Sequence, residues 1–299
     1  MAFFLGIDGG GTKTSCVVAD ESSILGSGTA GGSNIVRCGE ERARESLAAA
    51  IRQALTVAGV TPAQITRTCV GAAGAGREEI RAAQQQMVAD LVAGEVIVVG
   101  DMMTTLEAAF VGGPGVVVIA GTGSLAFGKN AGGDMARAGG WGFAISDEGS
   151  GHWIGRAALS ASLREMDESG TSSLLDRIQK AWRVDVDALV PMANASPGPN
   201  FAELMPLVVS ASEAGDMTAR TVLTRAGSEL ATIAGIVIRK LFPEGGAVPV
   251  AMSGGVFRHC ALVRQVFYNT VKTEFSDAVV GATVVEPVRG ALEIARRGS

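Results

Sequence analysis

Residues 6–14 read GIDGGGTKT and lie between two apolar runs, FFL at residues 3–5 and CVV at residues 16–18. Apolar runs on both sides of a glycine turn predict two strands joined as a hairpin. Three consecutive glycines let backbone N–H groups approach an anion, the threonine hydroxyls add donors, and the aspartate can hold a hydrated magnesium ion. The spacing is not that of the P-loop. The turn fits phosphate binding, and an ordinary hairpin explains it equally well.

A second turn of the same kind follows a β-branched run at residues 116–124, VVVIAGTGS. A third glycine site, AMSGGV at residues 251–256, lies between a predicted strand and a predicted helix. Two similar turns predict a duplicated architecture. Together the three sites could surround one nucleotide.

Composition excludes several classes of protein. A chain of 299 residues with 47% hydrophobic and 18% charged residues is expected to form about two globular domains. A net charge of -5 without a long basic run disfavours nucleic acid as a partner. The four cysteines lack Cys-x-x-Cys spacing, so they read as small core residues of a reduced cytoplasmic protein. No secretory signal is recognised at the N-terminus, and glycines interrupt the uncharged stretch at residues 108–128, so no membrane association is expected.

Helical and strand patterns alternate along the first third of the chain. Helical spacing at residues 40–59 and 77–92 alternates with strand-like runs at 65–71 and 95–99, which is an α/β pattern. Glycine and proline cluster at residues 108–115, which is the best candidate hinge.

Two domains are predicted on either side of this cluster. The first covers residues 1–112, and the larger second covers residues 113–299 with a mostly helical insertion at about residues 149–241. Strand, helix, strand and a terminal helix follow the insertion.

Asp101 follows a predicted strand and precedes a predicted helix. Open α/β sheets present ligand-facing groups at such positions, where a carboxylate can serve as the base of a kinase. A helix N-cap explains the same position equally well.

Residues 139–150, GGWGFAISDEGS, combine an indole, a flexible backbone and carboxylates, which suits a sugar. A loop in which Asp147 or Ser150 caps the following helix is an equal alternative. Neither His152 nor His259 has a ligand-spaced companion, and both read as structural. GTGSLA at residues 121–126 matches the loose dinucleotide fingerprint, but no helix follows it directly, which disfavours a Rossmann site.

Taken together, the chain resembles the BadF/BadG/BcrA/BcrD ATPase family, in its N-acetylglucosamine kinase branch, within the acetate and sugar kinase, Hsp70 and actin superfamily. DGGGTKT at residues 8–14 resembles the first phosphate motif, and GTGS at residues 121–124 the second. SGGV at residues 253–256 resembles the adenosine motif, and PVRGA at residues 287–291 the last connecting motif. Residues 140–150 resemble the aminosugar kinase signature.

The resemblance implies two ribonuclease-H-like (actin-like ATPase) domains with a nucleotide cleft between them, using ATP and Mg²⁺. Asp101 would then be the catalytic base, and Asp8 would orient Mg²⁺ through water. The sugar would be held by Asn34, Gly140, Trp141, Gly142 and Asp147. The nucleotide would be bound by Gly10, Gly11, Thr12, Lys13, Thr14, Gly121, Thr122, Gly123, Gly254 and Gly255.

The implied activity is phosphorylation of the 6-hydroxyl of N-acetylglucosamine by a cytoplasmic homodimer. Glucosamine is a close rival substrate, and N-acetylmuramic acid would need a cation for its lactyl carboxylate, for which Arg77 is the candidate. The alternative from another class is a BadF-type ATPase that acts as a conformational switch or activates a partner reductase or dehydratase.

Overall fold

The computed structural model describes residues 2–298. The chain divides into two compact units, the first containing the described residues up to Pro114 and those from Val285 onward, and the second Gly115–Val284. The change of unit at Pro114 falls within the glycine and proline cluster that the sequence marks as a boundary. Residues 285–298 belong to the first unit, whereas the sequence assigned them to the second.

Five strands and five helices build the first unit. The strands are β1 (Phe3–Gly9), β2 (Lys13–Ala19), β3 (Ile24–Gly31), β4 (Ile65–Ala72) and β5 (Glu95–Gly100). The helices are α1 (Ile35–Cys38), α2 (Glu40–Ala58), α3 (Glu78–Ala89), α4 (Asp101–Phe110) and, from the end of the chain, α12 (Pro287–Arg297). The sheet order is β3-β2-β1-β4-β5. β1 is antiparallel to β2 and parallel to β4, and β5 is parallel to β4.

The alternation of side chains along β1 gives this sheet two buried faces. Leu5 and Ile7 belong to the core cluster that α2 and α3 complete, whereas Phe4 belongs to a second cluster with Val288 and Leu292 of α12. The helix predicted at residues 40–59 is α2, and its residues Leu47, Ile51 and Leu55 are buried in the first of these clusters. A sheet buried on both faces accounts for the nearly continuous apolar character of β1.

Seven helices and five strands build the second unit. Its strands are β6 (Gly115–Ala120), β7 (Ser124–Lys129), β8 (Met135–Gly139), β9 (Pro249–Ser253) and β10 (Val279–Val285). Its helices are α5 (Gly151–Ser169), α6 (Ser173–Trp182), α7 (Val186–Ala193), α8 (Met205–Glu213), α9 (Met217–Leu241), α10 (Gly255–His259) and α11 (Ala261–Glu274).

The second sheet repeats the topology of the first. Its order is β10-β9-β6-β7-β8, with β6 antiparallel to β7 and parallel to β9. The first strand of each unit is therefore central, with an antiparallel meander on one side and later strands on the other. The duplication predicted from the two glycine turns is present in the fold.

The helical insertion occupies the predicted range, since α5 to α9 run from Gly151 to Leu241. Of the described helices, α9 alone is long and apolar enough to pass a test for a membrane span, but 61% of its apolar window is buried inside the protein. Its residues Val222, Leu230 and Val237 lie in the core of the second unit. α9 is therefore explained as a core helix.

α12 packs on the first unit because two glycines allow close backbone contact. A Cβ at Gly6 of β1 would lie 2.6 Å from the amide nitrogen of Leu292. A Cβ at Gly290 would overlap the carbonyl oxygen of Thr104 and lie 2.6 Å from the amide nitrogen of Ala108, both on α4. The terminal helix therefore joins β1 and α4 at backbone distance, a tertiary contact that local sequence patterns do not indicate.

This contact predicts a specific loss of stability. Gly290→Ala should lower the free energy of unfolding by about 1–3 kcal/mol, because the new methyl group forces α12 away from α4. Urea denaturation of the wild type and the variant measures the difference. Gly76→Ala is the matched control, because no described atom lies within 4 Å of a Cβ at that position. Equal stability of the two variants would contradict the close approach of α12 and α4.

Candidate active site

The parallel strands of the first unit bring three distant segments to one edge of the sheet. Gly9 of β1 lies opposite Ala72 of β4, and Ala72 lies opposite Gly100 of β5. The glycine turn, the loop at residues 73–77 and Asp101 therefore follow the carboxyl ends of three adjacent strands. This is the edge at which open α/β sheets bind ligands.

The glycine turn itself is short and accessible. The Gly10 amide donates a hydrogen bond to the Lys13 carbonyl at 3.1 Å, which closes the turn. Gly11, Thr12 and Lys13 are exposed. The predicted nucleotide-binding residues at the tip of the turn are thus available to a ligand.

Thr14 is placed differently from its neighbours. Its side chain is fully buried, and its hydroxyl oxygen lies 2.7 Å from the Gly31 carbonyl and 2.8 Å from the Ser33 hydroxyl. Gly31 is the last residue of β3, and Ser33 lies in the loop that follows it. The Thr14 side chain therefore binds the protein instead of facing a phosphate, which departs from the expectation that it adds a donor to the site.

Asn34 begins α1 and is half-buried. Its Oδ1 accepts a hydrogen bond from the Val36 amide at 3.0 Å, which makes it the N-cap. The preceding Ser33 amide donates to the Gly10 carbonyl at 3.1 Å, so the loop that carries Asn34 is attached to the glycine turn. The candidate sugar residue and the candidate phosphate turn are thereby adjacent within one unit.

Asp101 is the first residue of α4, and Gly100 occupies the N-cap. The capping alternative is therefore incorrect in detail, because Asp101 lies inside the helix and its Oδ1 accepts from the next amide, Met102, at 3.0 Å. Burial raises the pKa of the Asp101 carboxyl, while hydrogen bonds from the amides of Met102 and Asp101 oppose this shift. A half-buried carboxylate with a raised pKa at the ligand edge of a sheet has the character of a proton acceptor.

Asp8 is half-buried near the end of β1, one residue before Gly9. Mg²⁺ is usually bound through one or two carboxylates, with waters and substrate phosphates as its other ligands. A single aspartate beside an accessible glycine turn fits that pattern. Among residues 2–298 no group of three histidine, cysteine, aspartate or glutamate side chains forms a metal cage.

The second unit shows the same edge arrangement. Ile119 of β6 lies opposite Ser253 of β9, so the turn after β6 and Gly254 after β9 are neighbours. Gly254 has φ of 100°, and a Cβ there would lie 2.6 Å from the carbonyl carbon of Ala120. Two of the three glycine sites found in the sequence are therefore in direct backbone contact.

Open space remains beside this pair of turns. No described atom lies within 4 Å of a Cβ built at Gly121, and at Gly255 the nearest is a ring carbon of His259 at 4.0 Å. Thr122 and Gly123 are half-exposed. The backbone at these positions can be approached by a nucleotide, so the residues present fit the ligand that the sequence predicts.

Asp147 reaches the second turn from the loop before α5. It is buried in a left-handed conformation with φ of 67°, and its Oδ2 lies 2.7 Å from the position of a Cβ at Gly123. Ser150, and not Asp147, caps α5 by accepting from the Trp153 amide at 3.1 Å. Asp147 therefore does not cap α5, and its carboxylate lies against the predicted phosphate turn.

Residues 140–145 are exposed, except that Gly140 is half-buried. The Trp141 indole is 67% exposed, and the Arg137 guanidinium lies 4.3 Å from its ring centroid. Gly140 and Gly142, on either side of it, both have positive φ. One face of the indole is thus held by a cation, and an exposed aromatic surface is presented by the loop that the sequence assigned to sugar binding.

His152 is buried, with its ring centroid 4.8 Å from that of Phe143 and 5.3 Å from that of Phe201. This aromatic packing agrees with the structural role predicted for it. The cysteines Cys16, Cys69 and Cys260 are buried free thiols, as expected of core residues. Burial raises the pKa of the Cys69 thiol to about 12, which removes its reactivity at neutral pH.

The sequence profile of the BadF/BadG/BcrA/BcrD ATPase family matches residues 5–295. The chain belongs to this family. N-acetylmuramic acid/N-acetylglucosamine kinase of Clostridium acetobutylicum is 29% identical over an alignment 303 residues long, which covers 99% of this chain and 99% of that protein. N-acetyl-D-glucosamine kinase of Dictyostelium discoideum is 29% identical over 98% of this chain and 97% of its own length.

A solved structure supports the same family assignment. A candidate N-acetylglucosamine kinase from Chromobacterium violaceum aligns with a TM-score of 0.78 at 25% identity over 98% of each chain. With the repeated sheet order, this confirms the expected fold of two ribonuclease-H-like domains. The family resemblance inferred from the glycine motifs is confirmed as well.

The environment of Asp101 predicts how stability depends on pH. Because its pKa is raised in the folded state, that state binds more protons than the unfolded state, and stability falls as pH rises from about 4 through the raised pKa. Asp101→Asn keeps the acceptor for Met102 and removes the charge. The variant should therefore gain stability relative to the wild type across this window, measured by urea denaturation at successive pH values. A difference that does not change with pH would contradict the raised pKa.

Proposed function

We propose that this protein is an ATP-dependent aminosugar kinase that phosphorylates the 6-hydroxyl of N-acetylglucosamine. The observation that carries the proposal is Asp101, a carboxylate with a raised pKa at the same sheet edge as the accessible glycine turn. Relatives with full-length similarity that are named for N-acetylglucosamine kinase activity support it. Phosphoryl transfer asks a protein mainly for positioning and for electrostatic stabilisation, which accessible backbone N–H groups supply.

Asp101 acts as the general base in this proposal. One Oδ atom takes the proton from the sugar hydroxyl as that oxygen attacks the γ-phosphorus of ATP, whose bond to the bridging oxygen breaks so that ADP leaves. The raised pKa increases the basicity of the carboxylate. The hydrogen bond from the Met102 amide orients the carboxyl group. Asp101 must be deprotonated to act, so activity falls at acidic pH.

The sugar is held by polar and aromatic groups whose orientations are restrained. Asn34 is kept in one orientation by its bond from Val36, and Trp141 by Arg137 on one face of its ring. The exposed indole covers the apolar face of a pyranose, while Asp147 accepts hydrogen bonds from sugar hydroxyls. Gly140 and Gly142 supply backbone groups beside the indole. N-acetylglucosamine is the proposed substrate, glucosamine is its rival, and N-acetylmuramic acid requires the Arg77 guanidinium.

Each unit contributes glycine turns to nucleotide binding. In the first unit Gly10, Gly11, Thr12 and Lys13 are proposed to bind phosphates, and in the second Gly121, Thr122 and Gly123 do so. The two residues proposed for adenosine are Gly254 and Gly255, the second of which has open space beside it. Asp8 would hold Mg²⁺ through water, and the ion supplies charge neutralisation of the phosphates when bound.

An activator of a partner reductase, which would share an iron–sulfur cluster between subunits, is not favoured. Such a cluster needs thiolates at a surface, and Cys16, Cys69 and Cys260 are buried. Cys38 is half-buried, with its thiol 3.2 Å from the Asn34 carbonyl oxygen.

We propose that the protein is a cytoplasmic homodimer. Light scattering of the purified protein measures its mass in solution and so tests whether it is a dimer.

The first prediction of the proposal is sugar-dependent ADP release. With Mg·ATP, N-acetylglucosamine should give saturable ADP release well above a no-sugar control, measured by a coupled assay. Parallel assays rank the alternative substrates glucosamine, N-acetylmuramic acid and glucose by their rates of ADP release. Phosphorus–proton correlation NMR of the product identifies the phosphorylated hydroxyl. If ATP is hydrolysed at a rate that no sugar changes, the conformational-switch function is favoured instead. If the product carries its phosphate on another hydroxyl, the proposed 6-position is refuted.

The second prediction concerns Asp101. Asp101→Asn should lower kcat by on the order of 10²-fold or more with nucleotide affinity nearly unchanged, because the amide cannot accept the hydroxyl proton. Asp90→Asn is the matched control, since Asp90, the C-cap of α3, pairs with Arg44 at an exposed site. Unchanged turnover in Asp101→Asn would refute its role as the base.

A further inference from the structure

Ser33 contacts three different elements of the first unit through three different groups. Its amide donates to the Gly10 carbonyl at 3.1 Å, its hydroxyl lies 2.8 Å from the Thr14 hydroxyl, and its carbonyl accepts from Gln84 Nε2 at 3.3 Å. Ser33, Thr14 and Gln84 are all fully buried. We call this group of contacts the Ser33 junction. It joins the glycine turn, β2 and α3 at the residue immediately before Asn34.

The Thr14 hydroxyl has two neighbouring acceptors. Its oxygen lies within hydrogen-bond distance of both the Gly31 carbonyl and the Ser33 hydroxyl, and it has one proton to donate. Both contacts connect Thr14 of β2 to the end of β3 and to the loop that follows it.

Two glycines at the junction are required by contact between the turn and the loop. A Cβ at Gly9 would lie 2.9 Å from the Ser33 hydroxyl oxygen, with its next neighbour, the Gly71 carbonyl, at 3.4 Å. A Cβ at Gly32 would lie 2.7 Å from the carbonyl carbon of Gly11. The turn and the loop are thus packed backbone to backbone, and the Ser33 hydroxyl fills the space that a side chain at residue 9 would need.

Gln84 connects the loop to α3 through one end of its side-chain amide. Its Nε2 donates to the Ser33 carbonyl at 3.3 Å, and both residues are fully buried. Its Oε1 is buried and has no hydrogen-bond partner among residues 2–298. The bond from Nε2 therefore restrains the loop that carries Ser33 and Asn34.

We propose that Ser33 is a positioning residue that holds the phosphate turn and the Asn34 loop as one body, so that sugar bound at Asn34 strengthens nucleotide binding at the turn. This inference rests on the proposed function for the identity of the two ligands. Coupling between two sites requires an element that both ligands affect. The junction supplies that element within the first unit, because the loop cannot shift without moving Gly10 and Gly11.

A double-mutant cycle tests the junction without any sugar. Gly9→Ala should weaken binding of a non-hydrolysable ATP analogue by on the order of tenfold, measured by calorimetry, because the methyl group displaces the Ser33 hydroxyl and with it the turn. Ser33→Ala removes that oxygen, so the double variant should recover most of the affinity. A Gly9→Ala defect that persists unchanged in the double variant would overturn the junction.

The coupling is tested with N-acetylglucosamine present. In the wild type the sugar should tighten binding of the ATP analogue by a factor in the usual range of about 5–150 for coupled sites. Ser33→Ala keeps the amide bond to Gly10 and loses the hydroxyl contact with Thr14, so this factor should be reduced in the variant. Ser162→Ala is the matched control, since its buried hydroxyl donates to Leu159 within α5 and touches neither the turn nor the loop. It should keep the wild-type factor. Full coupling in Ser33→Ala, or no coupling in a wild type that phosphorylates the sugar, would refute the coupling role.

The two proposals fail in different ways. If no sugar supports turnover, the proposed function fails, and the affinities for the ATP analogue in the Gly9 and Ser33 cycle still decide whether the junction positions the turn. If the sugar is phosphorylated but the effects of Gly9→Ala and Ser33→Ala on affinity for the ATP analogue are additive, the kinase function is retained and the positioning role of the junction is refuted.

Discussion

The structure depends on the pairing of one central strand with an antiparallel hairpin on one side and a parallel strand on the other. In the first unit β1 pairs with β2 and β4, and in the second β6 pairs with β7 and β9. Parallel neighbours end at the same edge, and a hairpin turn begins at that edge too. Segments separated by dozens of residues along the chain are therefore collected at one place in each unit, where their carboxylates and backbone amides can act together.

Glycine has two separate uses at these edges. Some glycines are required by close backbone contact, as Gly254 is against Ala120 and Gly9 is against the Ser33 hydroxyl. Others, such as Gly121 and Gly255, have open space where a side chain would be. The second kind leaves the backbone open on the side where a Cβ would be. A glycine-rich motif therefore contains structural positions that hold the turn in place and accessible positions that can bind.

Local patterns were sufficient for the alternation of helices and strands, the duplicated turns and the helical insertion, because each depends on periodicity within a short window. They were insufficient for α12, whose place on the first unit depends on contact between Gly290 and α4 across almost two hundred residues. Thr14 was expected to face a phosphate because a hydroxyl in a turn can do so, but its partner Ser33 becomes visible only when the strands are paired. The GGSN segment at residues 31–34 contains the Ser33 hydroxyl, but the family resemblance points only to its asparagine.

Asp101 shows why a residue of this kind is best judged by its surroundings and not by position alone. Burial raises its pKa, and the bond from Met102 limits that increase while holding the carboxyl group in place. A carboxylate required only for helix capping would be more stabilising at the N-cap, which glycine occupies here. The Asp101 carboxylate, one residue inside α4, is thus suited to its proposed role as a base at the ligand edge of the first sheet.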